Sequence, residues 1–315
     1  MSFRKLGFLL ACALLWNFSL VSDARSDGSC HNDKRPVITF EEFQSIDLEQ
    51  QPPDLLTVKG KLKLPVKYNQ GRRCFRPKWN LPAVVILHGS SGVDFRGDFY
   101  ARALNAAGIA TFEIDMWEAR GIPNTADRPP VPLFNYPDAF GALGYLSIHP
   151  NIDPYRIGVM GFSWGGAVAL ASAEVNNASQ FGGDLRFAAH VAHYPNCWGS
   201  NATFPGTEEP IPGAEFRVLT GFPILVQIGE EDDYDNGSAP CFALKNDLDQ
   251  EEQKSLLKVI SYKGAFHGWD RLEVPFTAYD SFANRGLGGE VEVIPDVDQA
   301  YKSRKKVVTF FRRHL

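Results

Sequence analysis

Beyond its first 30 residues the chain has no apolar run approaching the roughly 18 residues that a bilayer-spanning helix needs. It also lacks an excess of positive charge. Its 32 Lys and Arg stand against 37 Asp and Glu, a net charge of −5, which argues against nucleic acid as the main partner. Cysteine is scarce, at five residues. No CxxC or HExxH spacing occurs, so neither common zinc pattern is present. There is no internal repeat and no low-complexity tract. What remains is 44% hydrophobic and 22% charged over 315 residues. That composition supports a large core and one large globular domain.

The N-terminus has its own character. Arg4 and Lys5 precede an apolar run from Leu6 to Trp16, with small residues at Ser22 and Ala24. A short basic region, an apolar stretch of this length and small residues at −3 and −1 predict a signal peptide over 1–24. The expected product is an exported single domain over 25–315. A lipobox reading of Leu9-Leu10-Ala11-Cys12 is weaker, because the apolar run continues through Cys12. Without Cys12 the chain keeps Cys30, Cys74, Cys197 and Cys241. In an exported protein this even set predicts disulfides, and proximity along the chain favours Cys30–Cys74 and Cys197–Cys241. Buried free thiols are the alternative. Asn177, Asn201 and Asn236 open formal glycosylation sequons.

Segments alternate in type. Residues 26–53 are polar and read as a lead-in, and Leu56–Leu64 alternates like a half-buried edge strand. Ala83–Leu87 is continuously apolar, as a strand covered on both faces requires. Further strands are expected at 109–114, 156–160, 187–192, 223–228 and, last, 256–261. Helices are expected at 96–108, 136–147, 165–173 and 298–312. This alternation predicts an α/β fold, a mainly parallel central sheet with helices on both faces. Functional residues of such a sheet gather at the carboxyl ends of its strands. Residues 195–220 and 270–292 read as insertions beside those ends.

Gly161-Phe162-Ser163-Trp164-Gly165 matches G-x-S-x-G between an apolar strand and a small-residue helix. In that setting the glycines permit a sharp turn that exposes the serine hydroxyl, and the helix start faces the developing oxyanion. Serine needs a base. Of the seven histidines, His267 in Gly264-Ala265-Phe266-His267-Gly268 follows the last strand and so leads. The acid is sought after strand 223–228, among Glu230, Glu231, Asp232 and Asp233. Asp232 is the first choice and Asp233 the second. The loop His88-Gly89-Ser90-Ser91-Gly92 supplies a second oxyanion donor, so the hole is assigned to the Ser90 and Trp164 N–H groups, with His88 structural. Trp117, Tyr194, Trp198 and Trp269 lie near strand ends and are candidates to line an apolar substrate pocket. Arg120 and Arg128 are weaker candidates for a substrate carboxylate.

Taken together, these motifs resemble the dienelactone hydrolase family of α/β-hydrolases. The resemblance runs from about Pro82 to Asp270. It is carried by Val84–Gly92, Ile114–Ile122, Asp153–Gly166, His193–Cys197, Ile228–Asp233 and Tyr262–Gly268. It implies an α/β-hydrolase fold and a Ser163, Asp232, His267 triad, the family's G-x-x-D favouring Asp232 over Asp233. No cofactor and no metal are expected. The founding enzymes open a lactone with cysteine. Serine here favours general hydrolysis of small carboxylic esters or lactones through an acyl-enzyme. An acyltransferase using the same triad and a non-catalytic binding protein are the competing classes.

Overall fold

The computed structural model describes residues 36–65, 80–123 and 125–315. The expected signal peptide, Cys30 and Cys74 lie outside these residues. Eight strands form one sheet in the order β1-β2-β4-β3-β5-β6-β7-β8. These are β1 Val37–Asp47, β2 Asp54–Leu64, β3 Leu81–Leu87, β4 Ala110–Asp115, β5 Ile152–Phe162, β6 His190–His193, β7 Ile224–Glu231 and β8 Leu257–Phe266. β1–β2 and β2–β4 pair antiparallel, and every other neighbouring pair is parallel.

The central strand explains the layers. All of β3 except Pro82 is buried, and its side chains alternate between faces. Val84 and Ile86 pack with Phe99, Tyr100 and Leu104 of α1 (Phe95–Ala106), and with Val307 and Phe311 of α8 (Val297–His314). Ala83, Val85 and Leu87 pack with Leu143 of α2 (Tyr136–Ser147) and Val168 of α3 (Trp164–Ala171), and the shorter helices α4 (Val175–Gly182), α5 (Ala239–Asn246) and α6 (Glu251–Leu256) follow along the chain. The basic closing helix α8 buries only Ala300, Ser303, Val307 and Phe311, one stripe at helical spacing, and leaves its lysines exposed.

Strand order positions the site. The chain runs from β3 outward to β4, then crosses to β5 on the other side of β3. The carboxyl ends of β3 and β5 therefore flank a reversal of strand order, where open α/β sheets form a crevice. Residues 88–92 and Ser163 emerge there.

Three expectations are corrected. The lead-in contains β1, which is the true edge; β2 is an inner strand. Only Phe43 and Ser45 of β1 are buried, and its apolar residues fall on both faces, with Ile38, Phe40 and Ile46 exposed, so the strand has no apolar alternation to mark it and rests on its 11-residue pairing with β2. The strand expected at 187–192 spans His190–His193. Residues 270–292 hold most of a second, two-stranded sheet, β9 (Phe276–Asp280) paired with β10 (Gly289–Val293) around the short helix α7 (Ala283–Gly286).

Arg120 binds no external carboxylate. Its guanidinium is buried and forks onto Asp138, at 2.7 Å and 3.1 Å, while also donating to the Met116 and Phe134 carbonyls. Asp138, fully buried on α2, also accepts from Ser45 and Asn135. Breaking such a pair leaves a buried charge uncompensated. Arg120→Ala should therefore lower unfolding free energy by about 3–5 kcal/mol, read from urea melts.

Candidate active site

Strand β5 ends at Phe162 and helix α3 begins at Trp164, so Ser163 alone makes the turn, at φ 51° and ψ −111°. A non-glycine residue held there costs on the order of 1–3 kcal/mol. The turn closes because its neighbours lack side chains. A Cβ on Gly161 would lie 2.0 Å from the Gly165 carbonyl oxygen, and one on Gly165 would lie 2.5 Å from the Leu87 and His88 oxygens. One on Gly166 would lie 2.5 Å from the His193 oxygen. Main-chain bonds then fix the loop: Ser163 N donates to His193 O at 3.0 Å, and Gly165 N to His88 O at 3.1 Å.

His267, just beyond β8, places its Nε2 2.9 Å from Ser163 Oγ and its Nδ1 2.8 Å from Asp232 Oδ2. A carboxylate accepts, so Nδ1 carries the proton and Nε2 is left to accept from the serine hydroxyl. The imidazole is held between Tyr194 and Tyr234, with ring centroids at 4.6 Å and 4.3 Å. Asp232 Oδ1 accepts from the Tyr234 and Asp235 N–H groups, which orients the carboxylate. All three side chains are buried. The two candidate acids are thereby separated. Asp233 Oδ2 accepts from Glu292 N on β10 at 2.8 Å, and its carbonyl accepts from Asn284 N. Glu230 and Glu231 are exposed.

Ser163 lies in an open cleft of about 150 Å³. Ser90, Ser91, Thr125, Arg96 and Arg271 give it polar walls, while Phe276, Ala278, Val291 and Val293 of the hairpin cover it with apolar ones. Ser90 and Ser163 line the same cleft, and Trp164 N–H opens the first turn of α3, where no intrahelical acceptor exists. The Ser90 loop is braced from behind, because its carbonyl accepts from Trp117 Nε1 at 3.0 Å. His88 is structural: its Nδ1 faces Gly89 O at 2.7 Å, and its Nε2 accepts from Met116 N at 2.9 Å. Burial lowers its pKa, which matches a neutral ring accepting at Nε2.

The aromatic side chains expected to line this pocket do not reach it. Trp117 is buried against Trp164 and His88. Tyr194 is fully buried, donating to Asp270 at 2.5 Å and accepting from Arg96 at 3.1 Å. Trp269 is fully buried against Tyr194 and Tyr262. The space at the strand ends is filled by these rings, so they clamp the loops that carry Ser90, Ser163 and His267. Trp198 lines a different cavity. Arg128 forks onto Asp280 of β9 at 2.7 Å and 3.0 Å, so it is occupied as well.

Arg96 is the residue that pattern reading missed. Its guanidinium lines the cleft although it is buried in the first turn of α1. Its Nε donates to both Asp94 oxygens, at 2.9 Å and 3.0 Å. The available signal was Asp94-Phe95-Arg96 at a helix start, two residues after the Ser90 loop. Arg there reads as an ordinary exposed first-turn residue.

Among the described residues one group of His, Cys, Asp and Glu atoms lies close enough to hold a metal: Cys197, Asp235 and Cys241. The two sulfurs are joined in a disulfide, as expected for that pair, so they offer no thiolate. Asp235 instead caps the loop, accepting from Cys197 N at 2.9 Å and Trp198 N at 2.7 Å.

The class these features define is the α/β-hydrolase: a parallel sheet with a strained serine between strand and helix, at the carboxyl end of the sheet. The dienelactone hydrolase family model matches residues 72–314, and the chain belongs to that family. No curated protein matches the chain in sequence. Solved structures share its fold. An esterase 2 from Thermogutta terrifontis superposes with TM-score 0.58 at 14% identity, covering 89% of this chain and 95% of that one. The dienelactone hydrolase from Anabaena variabilis gives 0.53 at 16%, covering 88% and 99%. The esterase of the archaeon Pyrobaculum calidifontis gives 0.54 at 16%, covering 89% and 87%.

Burial first, and the charge of Asp232 second, push the Asp235 pKa up to about 8. The fold therefore keeps that proton over a pH range in which the unfolded chain has lost it, and stability contributed here falls as pH rises through the range. Asp235→Asn loses a loop hydrogen bond and also removes this titration, so only wild type loses this stability as pH rises. Its deficit against wild type, read from urea melts, should shrink on going from about pH 5 to about pH 8. A deficit that grows with pH would reverse the sign.

Proposed function

We propose that this protein is a serine hydrolase of small carboxylic esters or lactones, working through a Ser163–His267–Asp232 triad and an acyl-enzyme. One observation carries the reading: the unbroken hydrogen-bond chain from Ser163 Oγ through His267 to Asp232. Family membership and the fold shared with esterases support it.

In the first half-reaction Ser163 Oγ attacks the carbonyl carbon and its proton passes to His267 Nε2. The imidazolium that forms is stabilised by Asp232. The Ser90 and Trp164 N–H groups hold the oxyanion. The leaving alcohol takes the proton from Nε2 as the ester C–O bond breaks. Water then gives a proton to His267 Nε2 and attacks the acyl carbon, and as the bond from that carbon to Ser163 Oγ breaks, Nε2 returns the proton to Oγ, releasing the acid and restoring the serine. The polar walls suit the reacting ester group, and the hairpin suits an apolar substituent.

The chain is further proposed to be exported after cleavage following Ala24, which N-terminal sequencing of the natural protein would test. Hydrolysis itself is tested with p-nitrophenyl acetate. Ser163→Ala should abolish turnover. Asp232→Asn should lower kcat by about 10⁴-fold, because the imidazole loses its tautomer control. Asp233→Asn should stay within about tenfold of wild type, since it touches only the hairpin. Retained turnover in Ser163→Ala, or a reversed order of the two aspartates, would refute the assignment.

A further inference from the structure

One buried cation joins the loops that build the site. Arg96 is 4% exposed, and a charge so deeply buried is costly unless its surroundings use it. Its Nε donates to both oxygens of Asp94, which ends the loop carrying Ser90. Its guanidinium lies 5.1 Å from the ring centroid of Phe162, the residue before Ser163. Nη1 donates to the Tyr194 hydroxyl, just past β6, at 3.1 Å. A Cβ on Gly89 would lie 3.1 Å from Nη2, and one on Gly268, the residue after His267, 4.0 Å from Nη1. The Ser90 loop, the end of the serine strand and the histidine loop thus all close on this side chain.

Tyr194 carries that grip to the imidazole. Its ring meets the His267 ring at 4.6 Å between centroids and 63° between planes. Its backbone stands at φ 37°, a left-handed conformation that a tyrosine keeps only where its surroundings force it. Its hydroxyl has one proton, which goes to Asp270 Oδ1, on the residue three beyond His267. Toward Arg96 the hydroxyl can therefore only accept. Asp270 is fully buried and takes a second hydrogen bond from Tyr100 at 2.6 Å. Removing the hydroxyl leaves Arg96 Nη1 without this acceptor and Asp270 Oδ1 without this donor, both close to the histidine.

We propose that Arg96 and Tyr194 are positioning residues for His267. Arg96 fixes the Tyr194 hydroxyl, and the Tyr194 ring fixes the plane of the imidazole, so that Nε2 meets Ser163 and Nδ1 meets Asp232 at once. Neither residue takes or gives a proton in the reaction. The inference rests on the Ser163–His267–Asp232 reading. Placement matters here because a reacting group displaced by about 1 Å costs about 100-fold in rate.

The test uses p-nitrophenyl acetate and the full chain, with circular dichroism reporting that each variant is folded. Tyr194→Phe keeps the ring and removes the hydroxyl. It should lower kcat by about tenfold, the worth of one buried hydrogen bond, and leave KM within about threefold. Arg96→Ala should lower kcat by about 100-fold, and added guanidinium ion should restore part of that loss by refilling the space. If Arg96→Ala does not fold, Tyr194→Phe decides alone. A second readout is independent of turnover. The His267 Nδ1 proton, hydrogen-bonded to Asp232, gives a far-downfield proton NMR resonance, which should shift or broaden in Tyr194→Phe. A folded Tyr194→Phe protein with kcat within about twofold of wild type, an unmoved Nδ1 resonance, or a folded Arg96→Ala protein that guanidinium does not restore would overturn the proposal. Ser163→Ala, run alongside, separates the two readings. Turnover surviving there defeats the triad, whereas an inactive Ser163→Ala beside fully active Tyr194 and Arg96 variants defeats this inference alone.

Discussion

Everything at the site depends on how closely two stretches of backbone approach where β5 turns into α3. The main chain of Gly161 nearly touches that of Gly165, and Gly165 and Gly166 lie against the carbonyls of the β3 and β6 ends. Only hydrogen atoms fit in those gaps. This approach forces Ser163 to a positive φ and lifts its hydroxyl toward His267. It also starts α3 at Trp164, so that a helix N–H without an intrahelical partner directly follows Ser163. The strain in one residue is small beside the packing of β3 between its two helical layers, and that packing holds it.

The rest of the molecule reads as support for that turn. Tyr194 ties His267 to Asp270 and Arg96, and Tyr100 joins the same carboxylate at 2.6 Å. Trp117 and His88 hold the Ser90 loop. Asp233 and the Asn284 and Arg285 N–H groups fasten the hairpin over the cleft. The disulfide and Asp235 fasten the loop after β6. Each of these loops thus has its own polar or covalent anchor. This matters because loop backbone lacks the regular ladder of strands and helices.

The parallel sheet and the serine turn were legible because their signals are local. Ala83–Leu87 can be uniformly apolar only if both faces are covered, and G-x-S-x-G between strand and helix has few other structural uses. Chain order led to His267 and Asp232 as residues that could meet, and the fold brings them within hydrogen-bond distance of one another. Other features left no such trace. β1 exposes Phe40 and Ile38 and buries little, so its existence rests on a partner strand and not on its own pattern. Trp117, Tyr194 and Trp269 look alike whether they border a cavity or fill one. That choice belongs to the neighbours that reach the same space. Arg96 is hidden for the same reason, since its burial depends on Asp94 and Tyr194 arriving from two directions.

The central claim is that Ser163 becomes covalently acylated during turnover. It is tested most directly by acid-quenching the wild-type protein while it turns over p-nitrophenyl acetate and mapping its peptides by mass spectrometry. The account predicts an acetyl group on the peptide containing Ser163, placed on that hydroxyl by fragmentation, appearing and decaying at the rates of turnover. Sustained turnover with that serine unmodified, or with the acetyl group on a different side chain that forms and decays at kcat, would contradict it.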